Sequence, residues 1–170
     1  MAVAFGPMGI HDALILGLDP GRDKIGFAAM APTKELLFSG VFPAKESGAF
    51  LRRVARGSCS ADAFSPWLQE RLEEGTRRAL SAVVLGDGTY SDVLMRALKE
   101  ASLPCKIVCV DERGTTLKAR ELYWKLHRPR PWQLFLPRSM RVPPRPLDDL
   151  AAWAIALRGV DATAAIPSPA

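Results

Sequence analysis

Three apolar runs, Ala13–Asp19, Lys24–Ala31 and Glu35–Phe42, follow one another with only Pro20-Gly21-Arg22-Asp23 and Pro32-Thr33-Lys34 between them. Links this short leave no room for a crossover helix, so the runs predict neighbouring antiparallel strands in a meander. Two later runs, Ala82–Gly86 and Lys106–Asp111, read as buried strands. Between them Ser91 is placed to cap a helix over Asp92–Ala101. Phe50–Arg56 suggests a short helix. Ser65-Pro66 reads as an N-cap followed by proline at the first helical position, predicting a helix over Trp67–Leu80. Thr115 or Thr116 opens a helix to about Leu126, and Leu147–Leu157 has the composition of a final helix. Strands that first turn back and then alternate with helices predict an α/β fold. It is a mixed five-stranded sheet, three antiparallel strands then parallel ones, with helices on both faces. The boundaries expected are a flexible lead over residues 1–12, one domain over 13–158 and an unstructured tail over 159–170.

The first run ends in an acid. Leu16-Gly17-Leu18-Asp19-Pro20-Gly21 puts a carboxylate at the mouth of a buried strand, where the pattern should reject charge. Two readings are open: Asp-Pro-Gly as plain turn chemistry, or a carboxylate stabilised by a cation. Val110-Asp111-Glu112-Arg113-Gly114-Thr115 places two more acids at a strand end. Leu147-Asp148-Asp149-Leu150 places two in the first turn of an apolar helix, where they also favour the helix dipole. Ligands of open α/β sheets collect at the carboxyl ends of parallel strands, so these acids should converge. Clustered carboxylates repel unless a cation opposes them, and an all-oxygen set suits Mg²⁺ or Mn²⁺ better than zinc. Asp87, in Leu85-Gly86-Asp87-Gly88, reads as a turn residue ahead of a further ligand.

The chain has 170 residues, 48% of them apolar, and a net charge of +5. It is long enough for one full core. No stretch offers the ~18 apolar residues of a membrane span. Three cysteines without Cys-x-x-Cys spacing, Cys59, Cys105 and Cys109, suggest free thiols in a cytoplasmic protein. The basic charge is uneven. Between Arg113 and Leu147 stand nine Lys or Arg residues and one acid, Glu121, interleaved with Tyr123, Trp124, Trp132 and Phe135. A solvated basic face is one reading; a surface for a polyanion with stackable bases is the other. Residues 128–146 contain six prolines, which exclude a regular helix or an interior strand and leave a long ordered loop.

Ile15-Leu16-Gly17-Leu18-Asp19-Pro20-Gly21 with Ile25-Gly26-Phe27-Ala28, Val110-Asp111-Glu112-Arg113-Gly114-Thr115-Thr116 with Ala119-Arg120, and Leu147-Asp148-Asp149-Leu150-Ala151-Ala152 resemble the three motifs of the YqgF/RuvX family. That family comprises Holliday-junction resolvases and pre-16S rRNA nucleases of the RuvC-like, RNase H-like superfamily. The resemblance runs from about residue 13 to 158 and departs after the fourth strand, where Gly86-Asp87-Gly88 replaces the family's Gly-Leu-Pro. It implies an RNase H-like fold and a nuclease acting on branched DNA, flaps or structured RNA. It implies Asp19, Glu112 and Asp148 as catalytic and metal-binding residues, with Asp149 able to join them. The chemistry expected is two-metal phosphodiester hydrolysis with two Mg²⁺ or Mn²⁺ ions. Lys118, Arg120, Arg138, Arg141 and Arg145 are the expected phosphate contacts. A resolvase of this kind would be a homodimer and an RNA-trimming nuclease a monomer; no membrane is involved. The competing reading is a nucleic-acid-binding protein with little or no catalysis.

Overall fold

The computed structural model of the chain describes residues 12–164. The meander forms as expected: β1 (Ala13–Pro20) pairs antiparallel with β2 (Lys24–Met30), and β2 with β3 (Leu36–Pro43). A short helix, α1 (Ser47–Val54), leads to a two-residue strand, β4 (Ser58–Cys59). β5 (Leu68–Arg71) adds antiparallel to the outer edge of β3. β6 (Arg78–Gly86) lies parallel to β1, and after α2 (Ser91–Glu100) β7 (Lys106–Val110) lies parallel to β6. α3 (Thr115–Leu126) and the long α4 (Asp148–Ala164) complete the chain. The sheet order is β4-β6-β1-β2-β3-β5, with β7 also on β6. β1, β2, β3, β6 and β7 make the predicted mixed five-stranded sheet of antiparallel and parallel strands; β4 and β5 are short additions at its margins.

Alternation along the strands fills two cores. Leu14, Leu16, Leu18, Ile25 and Phe27 face α1 and α2, and Ile15, Ala28, Met30 and Val84 face α3 and α4. The first core is aromatic. Phe42 stacks on Phe50 with ring centroids 4.1 Å apart, and Phe27, Phe64 and Trp67 close around them. The second core is alanine-rich. Leu150 to Ala156 of α4 are all buried, because the sheet covers one side of the helix and α3 the other.

One predicted element is absent. Trp67–Leu80 is not a helix: a 3₁₀ segment covers Ala61–Trp67, β5 follows, and β6 begins at Arg78. Helical composition loses here to three tertiary demands. The Trp67 ring belongs in the aromatic core and its Nε1 donates to Glu46 at 2.7 Å. The open edge of β3 takes Leu68, Glu70 and Arg71 as ladder partners. Gly75 adopts a left-handed φ of 69°, which stops a helix. α4 continues to Ala164, past the predicted end at Leu157. Residues 159–164 of the expected unstructured tail are therefore helical, as the last turns of α4; the rest of that tail, 165–170, and residues 1–11 of the expected lead lie outside the described residues.

Candidate active site

The period of two along β1 puts Asp19 on the same face as Ile15, the face that α4 covers. Asp19 pairs in register with Gly26 of β2. A Cβ on Gly26 would overlap the carbonyl oxygen of Asp148, so only glycine lets the first turn of α4 descend onto the strand beside Asp19. Glu112 arrives from the other side, two residues beyond β7. Its backbone N–H donates to Asp87 Oδ1 at 2.9 Å, and the Asp87 N–H donates to Val110 O at 3.0 Å. Thr115 Oγ1 donates to the Glu112 carbonyl at 2.7 Å, fixing the turn into α3. A Cβ on Gly88 would stand 2.7 Å from Glu112 Oε2 and 3.1 Å from the carbonyl of Pro20, the residue after Asp19. The Glu112 carboxylate therefore lies along the glycine turn that follows β6. Arg158 of α4 donates to the carbonyls of Asp111 and Arg113, tying the Asp-Glu-Arg turn to the helix that carries Asp148.

Three elements thus deliver Asp19, Glu112 and Asp148 to one end of the sheet, and the electrostatics register it. The Asp19 carboxyl is pushed up to about 7, first by burial, then by the charges of Glu112 and Asp148; Lys24 opposes the rise. Burial, then Asp87 and Asp111, hold Glu112 above its ordinary value. Asp148 is partnered by Lys24, with Nζ 2.7 Å from Oδ2.

The other acids and cations named from the sequence are placed differently. Asp149 is fully buried and turned away from Asp19. Its Oδ2 accepts from Ser39 Oγ at 2.7 Å, and its Oδ1 accepts from Arg145 Nη1 at 2.7 Å. Arg145 also donates to Glu70 at 2.5 Å and Gln69 at 2.8 Å, and Glu70 meets His127 Nε2 at 2.8 Å. Burial opposes the Arg145 charge, but the bonds from Asp149 and Glu70 outweigh it and hold its pKa above the ordinary value. Arg141 donates to the carbonyls of Gln133, Leu136 and Leu134. Arg145 and Arg141 are thus engaged inside the fold. Arg120 and Arg138 are exposed, and Lys118 pairs with Glu121 at 2.8 Å on the surface of α3. Asp87 is a turn residue whose carboxylate holds the Glu112 backbone.

Among the described residues, no three His, Cys, Asp or Glu side chains stand within reach of a single ion. The donor set nevertheless fits a hard divalent cation in kind and charge. All three groups are carboxylates, and one is pushed out of its ordinary ionisation range, first by burial and then by the other two. Gly88 also leaves open the space beside Glu112 that a side chain would fill. Asp148 would exchange its Lys24 partner for the ion.

Lys24, Ser39, Glu70 and Arg158 were not singled out in the sequence. Only Lys24 carried a signal there: it is a charged residue opening an apolar strand, five positions after Asp19. The other three acquire their roles through partners 45 to 110 residues away.

No protein-family model matches the chain, and no curated protein matches it. Among solved structures, the chain is similar to Thermus thermophilus RuvC, with 16% identity over 89% of this chain and 96% of that one and a TM-score of 0.46. It is also similar to T. thermophilus RuvC in complex with Holliday junction substrate, with 18% identity, the same coverage and a TM-score of 0.48. A ROK hexokinase from Thermus thermophilus shows 17% identity over 65% of this chain and 37% of that chain, with a TM-score of 0.38.

Proposed function

We propose that the protein is a divalent-metal-dependent nuclease that hydrolyses phosphodiester bonds in branched DNA or structured RNA. The observation that carries this reading is the delivery of Asp19, Glu112 and Asp148 to one sheet end, with a single lysine set against them. Carboxylates gathered in this way cost stability unless a cation is bound. Mg²⁺ or Mn²⁺, two ions in the full site, would supply activation of water and stabilisation of the leaving oxygen. Asp19, Glu112 and Asp148 would hold the ions, and Glu112 would also orient the attacking water. Lys24, beside Asp148, would meet a phosphate oxygen. Arg120, Arg138 and Lys118 supply cations for phosphates away from the scissile bond. The finer assignment, a YqgF/RuvX-type enzyme, rests on the three motifs and their spacing.

The decisive assay is cleavage of matched four-way DNA junctions, flaps, single strands and rRNA precursor fragments with Mn²⁺ or Mg²⁺, alongside Asp19→Asn. We expect metal-dependent cutting by the wild type and none by the variant. One observation favours a second reading, a nucleic-acid-binding protein without catalysis: Asp148 is engaged by Lys24, and no three acids among the described residues converge on one point. Tight binding with no cutting in either metal would establish that reading. Among the described residues no helix is long and apolar enough to cross a membrane, and Cys59, Cys105 and Cys109 are free thiols, which suits a cytoplasmic enzyme. Sedimentation with and without a junction would decide between monomer and homodimer.

A further inference from the structure

Residues 128–146, between α3 and α4, are rich in proline yet carefully tied down. They form two 3₁₀ turns, Pro131–Phe135 and Arg138–Met140. Gln133 is buried, and its Oε1 accepts from the Arg130 N–H at 2.8 Å. The Arg141 guanidinium reaches back from the second turn to three carbonyls of the first. At the root, Arg145 is locked to Asp149 and Glu70. On this frame five large apolar side chains, Trp132, Leu134, Phe135, Met140 and Val142, point into water; Phe135 is 90% exposed and Trp132 59%. A single exposed apolar side chain is ordinary, but five within eleven residues call for a partner. Side chains at i and i+3 of a 3₁₀ turn eclipse, so the Trp132 and Phe135 rings stand on one face.

We propose that Trp132 and Phe135 form a stacking platform for unpaired nucleobases, which selects substrates with single-stranded or branched character for the nuclease site proposed above. The charge around the rings identifies the occupant. Residues 128–146 contain five arginines and no acid, and Arg128, Arg130 and Arg138 are exposed. A second copy docking through the same patch would bring two arginine sets together, which is repulsive. A polyanion with flat apolar faces matches both the charge and the rings. In a duplex those faces are already stacked on each other, so the platform can be filled only where bases are unpaired. The segment runs directly into the first turn of α4, the turn that carries Asp148.

The test uses the full-length protein without divalent ions. The probes are oligonucleotides carrying 2-aminopurine: a single strand, a flap with the probe at its branch point, and a fully paired duplex. We expect the wild type to quench the probe in the single strand and the flap. Phe135→Ala should bind these two roughly 5- to 100-fold more weakly and change duplex affinity less than about 2-fold. Phe135→Trp should retain binding and quenching, and Phe135→Leu, apolar without a π face, should restore neither. Equal losses on duplex and single strand, or full binding by Phe135→Leu, would overturn the proposal. So would unchanged binding accompanied by a change in sedimentation, which would make the patch a contact between copies. Cleavage by the wild type in Mn²⁺ is read separately. Quenching without cleavage defeats the nuclease reading alone, and cleavage without quenching defeats the platform alone.

Discussion

Asp149 has both carboxylate oxygens bonded, by Ser39 and Arg145, in a fully buried site. Asp148, one residue earlier in the same helical turn, faces the strand ends with the half-exposed Lys24 as its partner. Around Asp149 the charges are matched by bonds: Arg145 sits between Asp149 and Glu70, and His127 Nε2 meets the same Glu70 oxygen as Arg145. Around Asp148 they are not: Asp19 and Glu112 add negative charge, and among the described residues Lys24 is the cation that opposes the rise at Asp19. A buried charge without a partner is among the most destabilising features a fold can contain. The matched region is what a structural ion network looks like. The unmatched one has the character of a site that expects positive charge from outside, as a proton or a metal ion.

The comparison breaks most sharply on cleavage. Asp19→Asn should lower metal-dependent cutting by about 10³-fold or more, since the metal arrangement contributes several kcal/mol to the barrier. The variant should keep its circular dichroism and its nucleic-acid affinity. A variant as active as the wild type would mean that the unmatched acids serve something other than catalysis.

Next in size is the matched region. Asp149→Ala leaves the buried Ser39 hydroxyl without its acceptor and Arg145 without one of its two carboxylate partners, and should cost about 3–5 kcal/mol in urea unfolding. A loss below about 1 kcal/mol would show that the network is incidental.

Stability and pH sharpen the contrast, because the sign reverses at Asp19. Its carboxyl ionises near 3.8 when unfolded and about 7 when folded. The metal-free fold is therefore unburdened below about pH 4, loses stability as pH rises towards 7, and carries the full penalty above that. Asp19→Asn should stabilise the metal-free protein at pH 8, by at most about 4 kcal/mol, and the gain should vanish near pH 4. Added Mn²⁺ should raise the melting temperature of the wild type at pH 8 and leave that of the variant unchanged. A variant less stable than the wild type at pH 8 would remove the electrostatic argument.

The smallest effect belongs to Lys24. Its ion pair with Asp148 is partly exposed, so Lys24→Met should change stability by no more than about 1 kcal/mol. It also holds the Asp19 carboxyl down, so its removal should move the acid limb of Mn²⁺ binding to higher pH. An unmoved limb would place Lys24 outside the field of Asp19.

The strands of the meander were legible because two short turns force antiparallel neighbours whatever the rest of the chain does. β6, β7, α2 and α3 were legible from apolar runs, although the expected caps Ser91 and Thr115 are the first residues inside their helices, with Tyr90 and Gly114 in the cap positions and no side-chain cap bond. The expected helix over Trp67–Leu80 failed because its composition could not reveal that the edge of β3 would recruit Leu68–Arg71 as a strand. The acids at the strand ends stood out because burial patterns reject charge. Their companions did not stand out. Ser39 reads as one polar residue in an apolar strand and Glu70 as a surface charge until Asp149 and Arg145 are brought beside them. Arg141 and Arg145 looked like phosphate contacts by composition. Backbone carbonyls and buried carboxylates, invisible in a linear reading, take up their guanidinium groups instead.

The contact between Gly26 and the Asp148 carbonyl sets a gap as well as a fit. β1 and β2 carry one jaw of the site and α4 the other, and the spacing between them is fixed by the absence of a single methyl group. Gly26→Ala would act as a shim under the first turn of α4, lifting Asp148 away from Asp19 without changing a charge. A chain that sets the distance between its acids in this way can adjust ion size or ion number through small residues under a helix, leaving the acids themselves untouched.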